Sequence, residues 1–127
     1  MPIISIARSS DSLCILTDDG CIFTSTNNGQ NWKKNDYYIE RYWHLYSSAI
    51  INGNIIIGRT FGYLLSSDFG ENWSIIQDGF SSKNEHIYSL LTHENSIFAG
   101  TSSGLYVSFD SGISWGNINI GLSYASH

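Results

Sequence analysis

One proline, two cysteines and six cations (Lys plus Arg) in 127 residues exclude several kinds of protein at the outset. Cys14 and Cys21 are too few for the disulfide framework of a small secreted domain, and their spacing is not the CxxC of a zinc site. They are expected to be reduced core thiols. Eleven Asp plus Glu outweigh the cations and leave a net charge of −5. Nucleic acid and anionic membranes, which need clustered cations, are therefore not expected partners. No stretch approaches the roughly 18 apolar residues of a membrane span. The start, MPIISIARSSD, has neither the cationic lead nor the small-residue cleavage site of a signal peptide, so a cytoplasmic location is expected. No nucleophile elbow or phosphate loop is present, and no cofactor is expected. Charged residues make up only 13%, about half the usual share. Ser, Asn, Gly and Tyr take their place, and these suit strands and turns.

What the chain does have is a repeat. Gly20, Gly62 and Gly104 are 42 residues apart, and Trp32, Trp73 and Trp115 follow at spacings of 41 and 42. The segments DDGCIFTSTNNGQNW, TFGYLLSSDFGENW and SSGLYVSFDSGISW align on these residues. The first carries one extra residue after its glycine, expected as a bulge. Upstream, HLYSSAIINGNIIIG matches HIYSLLTHENSIFAG. Each repeat reads as four short strands, A to D, rich in Ile, Leu, Tyr and Phe and separated by Asn, Gly and Asp turns. Runs such as IIIG and YLLS are apolar at adjacent positions, which points to sheets buried on both faces. Four-stranded antiparallel units of about 42 residues, each covered by its neighbours, describe propeller blades. The expectation is an all-β chain forming one domain, 1–127, with blades at about 1–36, 37–80 and 81–127. A β-sandwich is the alternative, although it does not need so regular a repeat.

The segments before each tryptophan resemble Asp boxes (also called BNR repeats), Ser-x-Asp-x-Gly-x-x-Trp, the motif of sialidases, sortilin-type receptors and photosystem II assembly factors. Two match fully: Ser66, Asp68, Gly70, Trp73 and Ser108, Asp110, Gly112, Trp115. In the first, Ser25, Asn27, Gly29, Trp32, asparagine replaces the acid. The resemblance implies that the box is the turn between strands C and D, with the Asp side chain satisfying backbone N–H groups of its own turn and the Trp folding between blades. It also implies that ligands bind at the opposite end. Asp68 and Asp110 are therefore expected to be scaffold and not catalytic acids.

At that opposite end lie the B–C turns and the D–A connections. The first connection, NDYYIERYWH, holds Arg41, Tyr42, Trp43 and His44. Amphipathic aromatics beside an arginine suit a binding surface; equally, Tyr42 and Trp43 could begin a buried strand. Arg59 and His86 complete the set of candidate ligand-binding residues. His44 and His86 invite a metal reading, but without His-x-x-x-His or a nearby cysteine they read as repeated strand starts, and no metal is expected. A sialidase-like glycosidase is the alternative function. Against it, the chain has only three arginines, Arg8, Arg41 and Arg59, and lacks an arginine-isoleucine-proline signature. Its carboxylates at that end are Asp18, Asp19, Asp36, Glu40 and Glu85. The leading expectation is a non-catalytic module that binds a protein or glycan.

Three blades cannot close a ring, since closed propellers have about 4–8. One end face reads as Ile4, Ile6, Leu13, Ile15 and Ile22, the other as Ile97, Phe98, Leu105 and Val107. A homodimer of half-propellers, completing six blades, is expected to cover them.

Overall fold

In the computed structural model, residues 2–35, 45–59, 62–76 and 86–118 are described. They form three four-stranded antiparallel sheets, and no helix occurs among the described residues. The first sheet comprises β1 (Ile3–Ser9), β2 (Ser12–Thr17), β3 (Ile22–Ser25) and β4 (Lys33–Asn35). The second comprises β5 (Leu45–Ile51), β6 (Asn54–Arg59), β7 (Tyr63–Ser66) and β8 (Ser74–Ile76). The third comprises β9 (Ile87–His93), β10 (Ser96–Thr101), β11 (Gly104–Ser108) and β12 (Gly116–Asn117). Each is a plain meander in chain order, the pattern that short turns between antiparallel strands produce. Asn52 and Gly53 both take positive φ at the β5–β6 hairpin, as a tight two-residue turn requires.

The sheets fan out from their first strands: β5 packs against β1 on one side and β9 on the other. Two apolar seams result. In the first, Ala7, Cys14, Leu16 and Ile22 meet Ile50, Ile55, Ile57 and Leu64, with Phe69 and Trp73 packed against them. In the second, Ala49, Ile51, Ile56 and Tyr63 meet Ile87, Ile97, Ala99 and Tyr106, with Trp115 alongside. The middle sheet is thus buried on both faces. Ile55 and Ile57 point one way and Ile56 the other, which is why its sequence shows no in/out alternation. Burial pushes the Cys14 thiol up to about 12, so it stays a protonated core residue.

Two expectations need correction. Ile22 and Ile97, assigned above to the open end faces, are buried in the first and second seams against the middle sheet, and Val107, assigned to the same face as Ile97, is buried as well. Adjacent apolar positions do not reveal which one faces which neighbour. The extra residue of the first repeat makes no bulge either. The β2–β3 register runs unbroken from Leu13↔Ser25 to Leu16↔Ile22. Cys21 lengthens the turn instead, its N–H donating to Thr17 Oγ1 at 3.0 Å and its carbonyl accepting from Thr17 N at 3.1 Å.

The second and third turns before a tryptophan each dock on the sheet preceding them. The Tyr63 phenol donates to the Gly112 carbonyl at 3.0 Å, and the Trp115 indole donates to the Tyr63 oxygen at 3.2 Å, ring edge to ring face. A side chain at Gly112 would have its Cβ 2.8 Å from Ile56 Cγ1, and φ there is +91°, so glycine alone fits both the backbone and the space. Trp32 has no sheet before it and is 41% exposed, whereas Trp73 and Trp115 are half-buried in seams. This difference sets an expected outcome for urea unfolding at low protein concentration. Trp73→Ala should cost about 3 kcal/mol, the lower range for a large aromatic. Trp32→Ala should cost no more than about 0.5 kcal/mol, as at an exposed site. Equal costs at the two positions would contradict the seam packing.

Candidate functional site

The antiparallel meander sorts the turns into two ends. The first hairpins (β1–β2, β5–β6, β9–β10) and the tryptophan turns share one end. The β2–β3, β6–β7 and β10–β11 turns share the other, together with the starts of β5 and β9.

At the first end, the three Ser-x-Asp/Asn-x-Gly-x-x-Trp turns carry the same bonds. Ser25, Ser66 and Ser108 each accept the N–H four residues on, at Gly29 (2.9 Å), Gly70 (2.7 Å) and Gly112 (2.9 Å). Each serine also donates to the side chain two residues on, Asn27, Asp68 or Asp110. Those three residues accept the N–H of Asn31, Asn72 and Ser114 at 2.8–2.9 Å. Asn27 does this with its one oxygen. Asp68 and Asp110 use their second oxygen as well, for the Asn72 amide and the Ser114 hydroxyl. These donors hold Asp110 down to about 2 and lower Asp68 too, with Ser114 and Asn72 the largest contributors. A carboxyl with a lowered pKa is the opposite of a general acid, which needs a raised one.

At the other end, Arg41, Tyr42, Trp43 and His44 lie outside the described residues. Arg59 and His86 are described. Arg59 ends β6, its N–H bonded to Gly62 O at 3.1 Å, and its side chain is enclosed, with the residue only 4% exposed. The equivalent positions in the other sheets are Thr17 and Thr101. Thr17 Oγ1 accepts from Cys21 N, and Thr101 Oγ1 donates to Gly104 O at 2.8 Å and accepts from Ser103 N at 3.2 Å. Two sheets thus close this turn with a threonine hydroxyl, and the middle sheet replaces it with a guanidinium. Asp18 and Asp19 are neighbours on the one turn, and the Thr17 hydroxyl, donating to Asp19, lowers that carboxyl's pKa. His86 precedes β9. Its N–H donates to Ser102 Oγ at 3.2 Å and its carbonyl accepts from Ser102 N at 3.0 Å. Its Nδ1 lies 3.4 Å from the Tyr88 hydroxyl, and Tyr88 is 52% exposed. Tyr88 was not singled out from the sequence beside His86. The two-residue offset of Tyr88 from His86 on a strand start is the signal that places them side by side.

Three antiparallel sheets fanned about their first strands and sealed by apolar seams define a β-propeller. No protein-family model matches the chain, and no curated protein matches it. Its likeness is to solved structures. One is YCF48 bound to D1 peptide, at 18% identity and TM-score 0.69, covering 89% of this chain and 39% of that one. Another is the GH74 xyloglucanase from Xanthomonas campestris, at 16% identity and TM-score 0.63, covering 93% of this chain and 23% of the enzyme. A third is the computationally designed Ika4 protein, at 14% identity and TM-score 0.61, covering 89% of this chain and 68% of that one. At such identities the likeness is one of fold, and the chain spans well under half of the two natural neighbours.

The turn carboxylates set a pH dependence. Asp68 and Asp110 bind protons less readily folded than unfolded, where an aspartate titrates near about 3.9. Their contribution to stability is therefore complete above that value and is lost as pH falls through the folded values, toward about 2 for Asp110. Urea midpoints should hold steady from neutral pH to about pH 4 and fall below it. Asp110→Asn should flatten part of that fall; a superimposable profile in the variant would show that the turn bonds do not govern acid stability.

Proposed function

We propose that the chain is a non-catalytic binding module. In this reading its three tryptophan turns are Asp boxes serving as scaffold, and the end with the β2–β3, β6–β7 and β10–β11 turns takes a protein or glycan ligand. The chain acts as a homodimer of half-propellers. The observation that carries the reading is Arg59: the fold closes this turn twice with threonine, so an enclosed guanidinium there answers to something other than turn formation. A guanidinium so enclosed suits a carboxylate or polyhydroxyl group able to reach it. His86 and the exposed Tyr88 add a polar ring pair at the same end.

The alternative is a glycosidase. It has support in the xyloglucanase likeness, but glycoside hydrolysis takes two carboxyl groups facing each other across a gap, one of them a neutral acid. Among the described residues, the carboxylates of this end are the adjacent Asp18 and Asp19, and the acidity of Asp19 is raised, which suits an acceptor. Protein binding has support in a neighbour that is itself bound to a peptide.

A glycan array and a peptide library test the reading together. Arg41→Ala/Trp43→Ala and His86→Ala/Tyr88→Ala should each weaken the selected ligand at least about tenfold, the loss of roughly 1.4 kcal/mol expected at binding hot spots. If both double variants bind like wild type, the site lies elsewhere. Turnover of an aryl glycoside by the wild type would favour the hydrolase.

A further inference from the structure

Among the described residues, the two outer sheets each have one face with no sheet packed against it, and the repeat shows what those faces are built to meet. On the outer face of the third sheet, Leu91, Phe98, Leu105 and Ile118 stand 42 residues after Ala49, Ile56, Tyr63 and Ile76, all of which belong to the second seam. On the outer face of the first sheet, Ile6, Leu13, Ile15 and Trp32 are the equivalents of Ser48, Ile55, Ile57 and Trp73. The last three lie in the first seam, and Ser48 bonds across it to Ser5 at 2.8 Å. Each open face is one half of a seam that the chain already makes twice. Ile6 and Leu91 are 65% and 66% exposed on these faces, while Val107, which shares the Phe98 face, is 5% exposed. Apolar surface of this extent on a sheet face marks an interface.

We infer that these two halves meet between two copies of the chain, head to tail, so that Trp32 of each copy packs on the Leu105–Ile118 face of the other. This rests on the self-association proposed above and specifies the surface. The rims agree with it. At the second seam, the Asn52 side-chain amide donates to Ser111 Oγ at 2.9 Å and that of Asn54 to Ser111 O at 3.0 Å, tying a hairpin to the next tryptophan turn. The equivalent pair across the joint is Glu94 and Asn28. Both have left-handed backbones, with φ of 55° and 62°, matching 49° at Asn52 and 63° at Ser111. A carboxylate there accepts what the Asn28 amide donates, the donor and acceptor roles reversed. At the joint, Leu105 stands where Tyr63 stands in the second seam and Ile22 in the first. The joint therefore resembles the first seam, an aliphatic residue under a tryptophan. Two chains make six blades, within the usual range of about 4–8, and three would make nine, outside it. A heterologous contact that closes after two copies also leaves no free end from which to grow a filament.

The experiment uses the 127-residue chain and two variants, Ile6→Arg and Leu91→Arg. Both side chains are more than half exposed, so the isolated chain should keep its fold, which circular dichroism checks. Light scattering at high micromolar concentration should give about 28 kDa for wild type, twice the 14.2 kDa chain, and about 14 kDa for each variant alone. An equimolar mixture should return to about 28 kDa, because one of its two joints pairs an intact first-sheet face with an intact third-sheet face. A monomeric wild type would overturn both the self-association and this joint. A dimer that survives both substitutions would overturn the joint alone. One variant that stays dimeric alone while the other is monomeric would reveal a like-to-like contact and overturn the head-to-tail arrangement. A trimer or open polymer would overturn closure by two copies.

Discussion

The middle sheet is covered on both faces, and the rest of the structure follows from how that is done. A lone four-stranded sheet made of Ile, Leu and Tyr cannot stand in water. Its neighbours supply the cover, and the first strands, closest to one another, set the fan. The tryptophan turns then lock each sheet to the one before it. Tyr63, Gly112 and Trp115 show how: a phenol donates to a carbonyl, an indole donates to the phenol, and a glycine leaves room for both. These bonds are enclosed by apolar surface, where leaving a donor or acceptor unmade costs more than in water.

The repeat also serves as an internal control. Where three equivalent positions hold the same residue in the same bonds, the scaffold accounts for them, as at Ser25, Ser66 and Ser108. Where one copy departs, something else is at work. Arg59 is such a departure, set against Thr17 and Thr101. Phe109 and Ile113 are two more, exposed on the third tryptophan turn where the first two turns carry Thr26, Gln30, Ser67 and Glu71; nothing in the structure explains them. Glu71 at least has a partner, Lys33 on the preceding sheet, although an ion pair so exposed contributes little.

Charge follows the same division. The turn aspartates are ionised acceptors held by donors within four residues, which disposes of any acid role for Asp68 and Asp110. Cys14 is the opposite case, a group with a reactive atom made inert by enclosure. Arg59, His86 and Tyr88 gather at the other end of the sheets.

The period of 42, the four-strand meander and the serine turns were legible in the sequence because each rests on partners close along the chain. Ser66 reaches Gly70 and Asp68 reaches Asn72 without help from any other sheet. Two segments with the full Ser-x-Asp-x-Gly-x-x-Trp pattern and a third with asparagine at Asn27 announced the same turn, and asparagine kept it because one oxygen is enough for the backbone bond. The faces were another matter. Ile22 looked like an end residue and is core, Arg59 looked like a turn residue and is enclosed, and Tyr88 passed unnoticed beside His86. Their surroundings come largely from sheets some 42 residues away or from neighbouring turns. Local bonds choose the strand and the turn; which side of a strand is dry depends on the sheet that lands against it, and only the tertiary structure decides that.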